Sequence, residues 1–169
     1  TRLFSFRHTL LASDLALHAR FASAPRKTVL ISGSSGFIGS ALTAFLETAG
    51  HSVIRLVRRA PQGAHERTWN PARGELSPSV FEGIDAVIHL GGENLLARRW
   101  TPEFKDEILI SRVQSTELLC KTISALAKKP EVVITASATG LYGDTKTEQV
   151  DEESPAGTDF LASTCRAWE

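Results

Sequence analysis

The sequence predicts an α/β fold, a doubly wound parallel sheet with helices on both faces in three layers. From Lys27 onward, short apolar runs of strand length alternate with stretches of helical period, the pattern of successive βα units. A glycine triplet, Gly33, Gly36 and Gly39, separates the first such run from the first helical stretch. The composition suits one domain with a sizeable core: 169 residues, 42% hydrophobic and 22% charged.

Residues 1–24 precede this pattern, with Leu10, Leu11, Leu15 and Phe21 at helical spacing ahead of Pro25, and predict an amphipathic helix. Residues 1–27 are assigned to a connector and residues 28–169 to the domain proper. The run "LLASDLAL" has the flavour of a targeting segment, but Asp14 and His18 interrupt the apolar region such a segment requires. The chain opens on Thr1 and contains no methionine, so it reads as an excerpt of a longer protein.

"TVLIS" reads as a buried strand. "GFIGSALTAFLETAG" follows as a helix, with Ile38, Leu42, Phe45 and Leu46 on one face and Gly50 at its left-handed C-terminal cap. "HSVIRLV" is the second strand and "RRAPQGAHER" a polar loop. A short strand is expected near "RTWN", then a turn at Pro71 and Gly74. "DAVIHLGG" is the next strand, Pro102 to Ala127 a long helix, and "EVVITASA" another central strand.

Nineteen basic and nineteen acidic residues cancel, which removes the global field that draws a protein to nucleic acid or an anionic membrane. A small-molecule partner is expected instead. Cys120 and Cys165 stand far apart, which argues against a disulfide framework or any metal site and for a reducing cytoplasm. The apolar runs fall short of the ~20 residues a membrane span needs.

"SGSSGFIG" carries the chemistry. Gly33 permits a tight turn, Gly36 lets a pyrophosphate approach the backbone, and Gly39 lets the helix pack close to the sheet. Backbone N–H groups along Gly33, Ser34, Ser35, Gly36, Phe37, Ile38 and Gly39, with the positive end of the helix, would hold the phosphates of a dinucleotide. The plainer reading is a tight βα turn without a ligand. At the end of the second strand, where an acidic residue would hydrogen-bond a ribose 2′-hydroxyl, the chain has Arg58 and Arg59. Guanidinium groups suit a 2′-phosphate, so NADP is expected, with NAD as the alternative. A solvated basic loop is the competing reading.

Through "GSSGFIG", "DAVIHLGG" and "SATGLYG" the chain resembles the extended short-chain dehydrogenase/reductase superfamily, which has the Rossmann-like version of this fold. Through "WNPARGEL", "GGENLLARRWTPEFKDEILISRVQST", "ASATGLYGD" and "FLASTCRAWE" it is similar to the atypical nucleoside-diphosphate-sugar epimerase (SulA-like) branch. Members of that branch are about twice as long, which implies that the C-terminal, substrate-binding part of the fold is missing from this chain, and some carry an additional N-terminal domain. The expected cofactor residues also include Asn70, Leu90, Gly91 and Gly92.

In this superfamily a Tyr and a Lys one helical turn apart face the nicotinamide. "YGDTK", residues 142–146, has that spacing, but Gly143 and Asp144 disfavour a helix, so Tyr142 and Lys146 are not expected to share a face. The resemblance places the pair instead on the last helical segment, where Leu161 and Cys165 stand and neither can do that work. Ser137, with Ala138 as the competing assignment, resembles the serine that contacts the substrate oxygen. Arg112 falls where the superfamily has a structural Asn, either facing a ligand or buried in an ion pair. Lys105, two turns away, would share its face, with Ser111 beside it. Tyr142 is placed at the rim of the pocket or in ordinary packing. The residues singled out for catalysis are therefore Ser137, Tyr142 and Arg112. The functions in competition are an NADP-dependent epimerase or oxidoreductase with its Tyr–Lys pair replaced, a catalytically silent dinucleotide-binding regulator, and a structural interaction module.

Overall fold

A computed structural model describes residues 2–169. In chain order the elements are α1 (Arg2–Arg20), β1 (Thr28–Ser32), α2 (Phe37–Thr48), β2 (Ser52–Val57), β3 (Glu66–Thr68), β4 (Ala86–His89), α3 (Pro102–Ser124), β5 (Val132–Thr135) and α4 (Phe160–Trp168). Short 3₁₀ turns occupy Pro71–Arg73, Pro78–Phe81 and Thr139–Tyr142. The five strands form one sheet in the order β3-β2-β1-β4-β5, and every neighbouring pair is parallel. Strand order reverses between β2 and β4 around β1, which opens a crevice at the carboxyl ends of β1 and β4.

Because side chains alternate along a strand, β1 feeds two cores. Val29 and Ile31 meet Val53 of β2 on one face, covered by Leu42 and Leu46 of α2. Leu30 meets Ile54, Leu56 and Val87 on the other, covered by Leu119 and Ile123 of α3 together with Trp69, Val80, Phe81 and Ile84. Helices on both faces of a parallel sheet make the three layers that the sequence predicts. Gly50 caps α2 with φ 84°, and its N–H reaches the Glu47 carbonyl at 2.9 Å.

Four local expectations are corrected. Ile38 is 66% exposed, because α2 begins at Phe37 and its first turn overhangs the end of the sheet. Helix α1 buries none of its residues. Its main attachment is the ring of His18 against Phe45, with centroids 4.4 Å apart, so its apolar face has no core to join. Helix α3 ends at Ser124, short of Ala127, where the Ala125 and Leu126 N–H groups turn back to Thr122 and Ile123. Strand β5, expected to be central, is the edge of the sheet beside β4 with all four residues exposed, because no described strand pairs with its outer side. The turn at Pro78–Phe81 contributes Val80 and Phe81 to the larger core.

Candidate functional site

The turn from β1 into α2 is built so tightly that glycine is required at two of its positions. Gly33 has φ 73°, and a Cβ there would lie 2.9 Å from the Leu90 carbonyl carbon and oxygen. At Gly39 a Cβ would lie 2.1 Å from the Gly33 carbonyl oxygen, so the helix can approach the turn only without a side chain. A Cβ on Gly36 would sit 3.3 Å from that same oxygen. The α2 N-terminus receives no side-chain cap, so its first N–H groups are open to an anion. The cradle fits a pyrophosphate.

This turn borders a cleft of about 1200 Å³. Gly33, Ser34, Ser35 and Gly36 form one wall, Leu90, Gly91 and Gly92 at the end of β4 another, and Arg58, Arg59 and Asn70 the end beyond β2. Ten of the thirteen residues expected at a cofactor therefore meet around one cavity. Phe37 and Ile38 instead direct their side chains outward, 96% and 66% exposed, and Gly39 is buried beneath the turn.

The two arginines differ. The Arg59 terminal nitrogens lie 2.7 and 2.6 Å from the two carboxylate oxygens of Glu66, and Glu66 also accepts the Gln62 N–H at 2.7 Å. The guanidinium, then that backbone donor, hold the Glu66 carboxyl down at about 2. Arg58 is exposed and has no hydrogen bond or ion pair among the described residues.

His89, fully buried at the end of β4, forms the floor of the cleft. Its Nδ1 meets the Ser32 hydroxyl of β1, and its Nε2 lies 2.9 Å from the Ser115 hydroxyl of α3. Ser115 donates to the Ser111 carbonyl at 2.6 Å, so it accepts from His89, which places the imidazole hydrogen on Nε2 and leaves Nδ1 to accept from Ser32. Burial pushes the His89 pKa down to about 4. A Cβ on Gly91 would sit 3.1 Å from the ring, so the histidine also props the cleft wall. The sequence reading missed it because a histidine inside an apolar strand gives no signal of its partners.

Arg112 is half-buried and donates to the carbonyls of Ile108 and Glu93, each at 3.1 Å. Its guanidinium lies over the Trp168 ring, 5.3 Å from the centroid, and packs under Gly92. It forms no ion pair among the described residues. It is a strut that ties the loop after β4 to α3 and α4, and burial draws its pKa down. Lys105 on the same face of α3 lies over Phe160, 5.3 Å from the ring centroid. Ser111 accepts the Glu93 N–H at 3.0 Å.

The expected catalytic residues do not gather in the cleft. Tyr142, half-buried, ends the 3₁₀ turn beyond β5. Lys146 is exposed in the following loop with φ 54°, so it shares no helix with Tyr142. Ser137 is exposed and its hydroxyl bonds the Glu169 carboxylate. On α4, Leu161 packs against Gly140. Cys165 is buried with its sulfur 3.8 Å from the Ala138 carbonyl oxygen, and burial pushes its thiol up. Among the described residues no group of three or more His, Cys, Asp or Glu side chains is arranged to hold a metal ion, and no helix is long and apolar enough to cross a membrane.

Comparison with known proteins gives this geometry a family. The chain is 48% identical over 141 residues to the epimerase family protein Mb2239 of Mycobacterium bovis, which covers 83% of this chain and 46% of that protein. The crystal structure of a nucleoside-diphosphate sugar epimerase from Corynebacterium glutamicum superposes with a TM-score of 0.81 at 37% identity, over 99% of this chain and 36% of that one. Human epimerase family protein SDR39U1, solved with NADPH, superposes with a TM-score of 0.71 at 36% identity, over 83% of this chain and 47% of that one. The chain spans about half the length of the curated relatives it matches. Residues 29–164, from β1 through most of α4, match a single family model, and the chain belongs to the NAD dependent epimerase/dehydratase family.

Proposed function

We propose that this chain is the dinucleotide-binding half of an NADP-dependent epimerase or oxidoreductase that acts on a small polar substrate of the nucleotide-sugar kind, with the usual Tyr–Lys pair replaced. One observation carries the reading: the glycine turn, with no room for a Cβ at Gly33 or Gly39, opens onto the same cleft as Arg58 and Arg59. The NADPH of the human relative and the nucleotide-sugar activity named for the Corynebacterium glutamicum structure support the cofactor and the substrate class. When bound, the nicotinamide supplies hydride transfer. The Gly33–Gly36 backbone and the α2 N-terminus would hold the pyrophosphate, the arginine end of the cleft would receive the 2′-phosphate, and His89 holds the floor without exchanging a proton near neutral pH. Ser137 and Tyr142 are the hydroxyls beyond β5 assigned to proton transfer, and Arg112 ties the loop after β4 to α3 and α4. Two free cysteines suit a reducing cytoplasm.

Leu161 and Cys165, both packed inward, favour a second reading, a silent dinucleotide-binding regulator. Titration with NADPH and NADH, followed by assay with nucleoside-diphosphate sugars, separates the two. Tight NADPH binding with turnover is expected. Binding without turnover across that substrate class selects the regulator, and no binding of either cofactor removes both readings.

A further inference from the structure

We infer that Arg58 alone discriminates the adenosine 2′-phosphate, while Arg59 is a positioning residue held by Glu66; this rests on the NADP reading above. Three arginines, Arg55, Arg58 and Arg59, line the end of the cleft beyond β2, and two carboxylates, Glu47 and Glu66, line it with them. Arg55 pairs with Glu47 at 3.3 Å and Arg59 with Glu66 at 2.6 Å. Among the described residues one uncompensated cation remains at this end of the cleft, and it is Arg58.

Arg59 is engaged on several sides. Both terminal nitrogens face Glu66, one of them also donates to the Ala60 carbonyl at 2.9 Å, and its own carbonyl accepts from the Thr68 hydroxyl at 3.1 Å. Glu66 adds the Gln62 N–H, so this one ion pair winds the loop between β2 and β3 around a carboxylate. A phosphate recruiting Arg59 would have to break a bidentate pair and approach Glu66, a like charge. A phosphate meeting Arg58 breaks nothing. The adenosine pocket shared by NAD and NADP is shaped by the loop, and so by Arg59 and Glu66. The difference between the two cofactors falls on Arg58.

The test measures the dissociation constants of NADP and NAD for the full chain and its variants by calorimetry. Arg58→Ala should lower the preference for NADP by about ten-fold or more, the scale of one charge-assisted contact, with NAD affinity nearly unchanged. Arg58→Lys should keep part of the preference. Removing the pair together, Arg59→Ala with Glu66→Ala, should weaken both cofactors alike and leave their ratio within about two-fold, since the loop serves both and no bare carboxylate is left beside the phosphate. Glu66→Gln removes a negative charge beside the phosphate and frees Arg59, so the preference for NADP should rise. Adenosine 2′,5′-bisphosphate against 5′-AMP repeats the comparison without the nicotinamide half. Preference lost when Arg59 and Glu66 are both replaced by Ala but retained in Arg58→Ala would overturn the division of labour while leaving the NADP reading intact. A wild-type protein that binds NAD as tightly as NADP overturns the NADP reading itself.

Discussion

His89 stays neutral because its burial at the end of β4 disfavours the charged imidazolium, and its two ring nitrogens meet the Ser32 and Ser115 hydroxyls. Its pKa falls from the ordinary 6.5 to about 4 in the folded chain. Above pH 6.5 neither state binds the proton, and this stabilising contribution is fully present. As the pH falls from 6.5 to 4 the unfolded chain takes up a proton that the folded chain refuses, so stability drops by roughly 3 kcal/mol in all. Chemical denaturation across that window should show the slope, and His89→Gln should flatten it. The Glu66 carboxyl, held near 2, acts separately: its contribution is lost as the pH falls below the ordinary carboxylate range toward 2. Lys146 gives a contrasting expectation. An exposed ammonium on a loop residue with φ 54° has no position from which to assist Tyr142, so Lys146→Ala should leave turnover nearly unchanged. A lysine working in acid–base catalysis would cost on the order of 10²-fold. A large loss with folding and cofactor affinity intact would restore "GLYGDTK" as a catalytic motif.

Helix α2 shows how a single hydrogen atom sets the position of an element. With the Gly39 Cβ position 2.1 Å from the Gly33 carbonyl oxygen, Gly39→Ala must push the helix off the turn. The expected cost is at least the roughly 1–3 kcal/mol of an overpacked core, with dinucleotide affinity lost alongside. Gly63→Ala, where a Cβ meets nothing within 4 Å, is the control and should change stability by less than about 1 kcal/mol. Denaturant unfolding of the two variants compares them directly, and equal stabilities would contradict the close approach. Helix α3 depends on its cap: the Thr101 hydroxyl accepts the Phe104 N–H at 3.3 Å, so Thr101→Ala should cost about 1 kcal/mol. The strands and the two long helices of the domain were legible because each owes its existence to a local period read against a sheet covered on both faces. The turn at Pro78–Phe81 was not, since its apolar residues are ordered by the core they enter rather than by any repeat. Helix α1 has the period but no neighbouring surface, and amphipathicity alone does not supply one. The same limit applied within the site. Glycines constrained by backbone geometry could be placed from their order in the chain, whereas the partners of Arg112 are two backbone carbonyls and an indole, which spacing does not encode.

At the scale of the whole molecule, the cleft brings together parts that lie far apart along the chain. Its walls come from the β1–α2 turn, the β2–β3 loop, the end of β4 and the inner face of α3, so a ligand lying along it would contact both sides of the point where strand order reverses. Such a ligand binds the folded state alone, because none of these walls survives unfolding. At a hundred times its dissociation constant it should stabilise the protein by about 2.7 kcal/mol. For a chain of 169 residues that is a rise in melting temperature of roughly 5–11 °C. On the proposed assignment NADP and NAD share the pyrophosphate cradle and only NADP engages Arg58, so at equal concentrations below saturation NADP should produce the larger rise. Added salt should narrow the gap between them, since it screens a contact with an exposed guanidinium. Thermal unfolding followed by tryptophan fluorescence suits the measurement, because Trp69 lines the cleft and its ring meets His89 edge-on, with centroids 5.8 Å apart. Equal shifts from the two cofactors at every salt concentration would place the selectivity elsewhere than in the arginine end of the cleft, and no shift from either at millimolar concentration would show that the glycine turn is a structural βα connection.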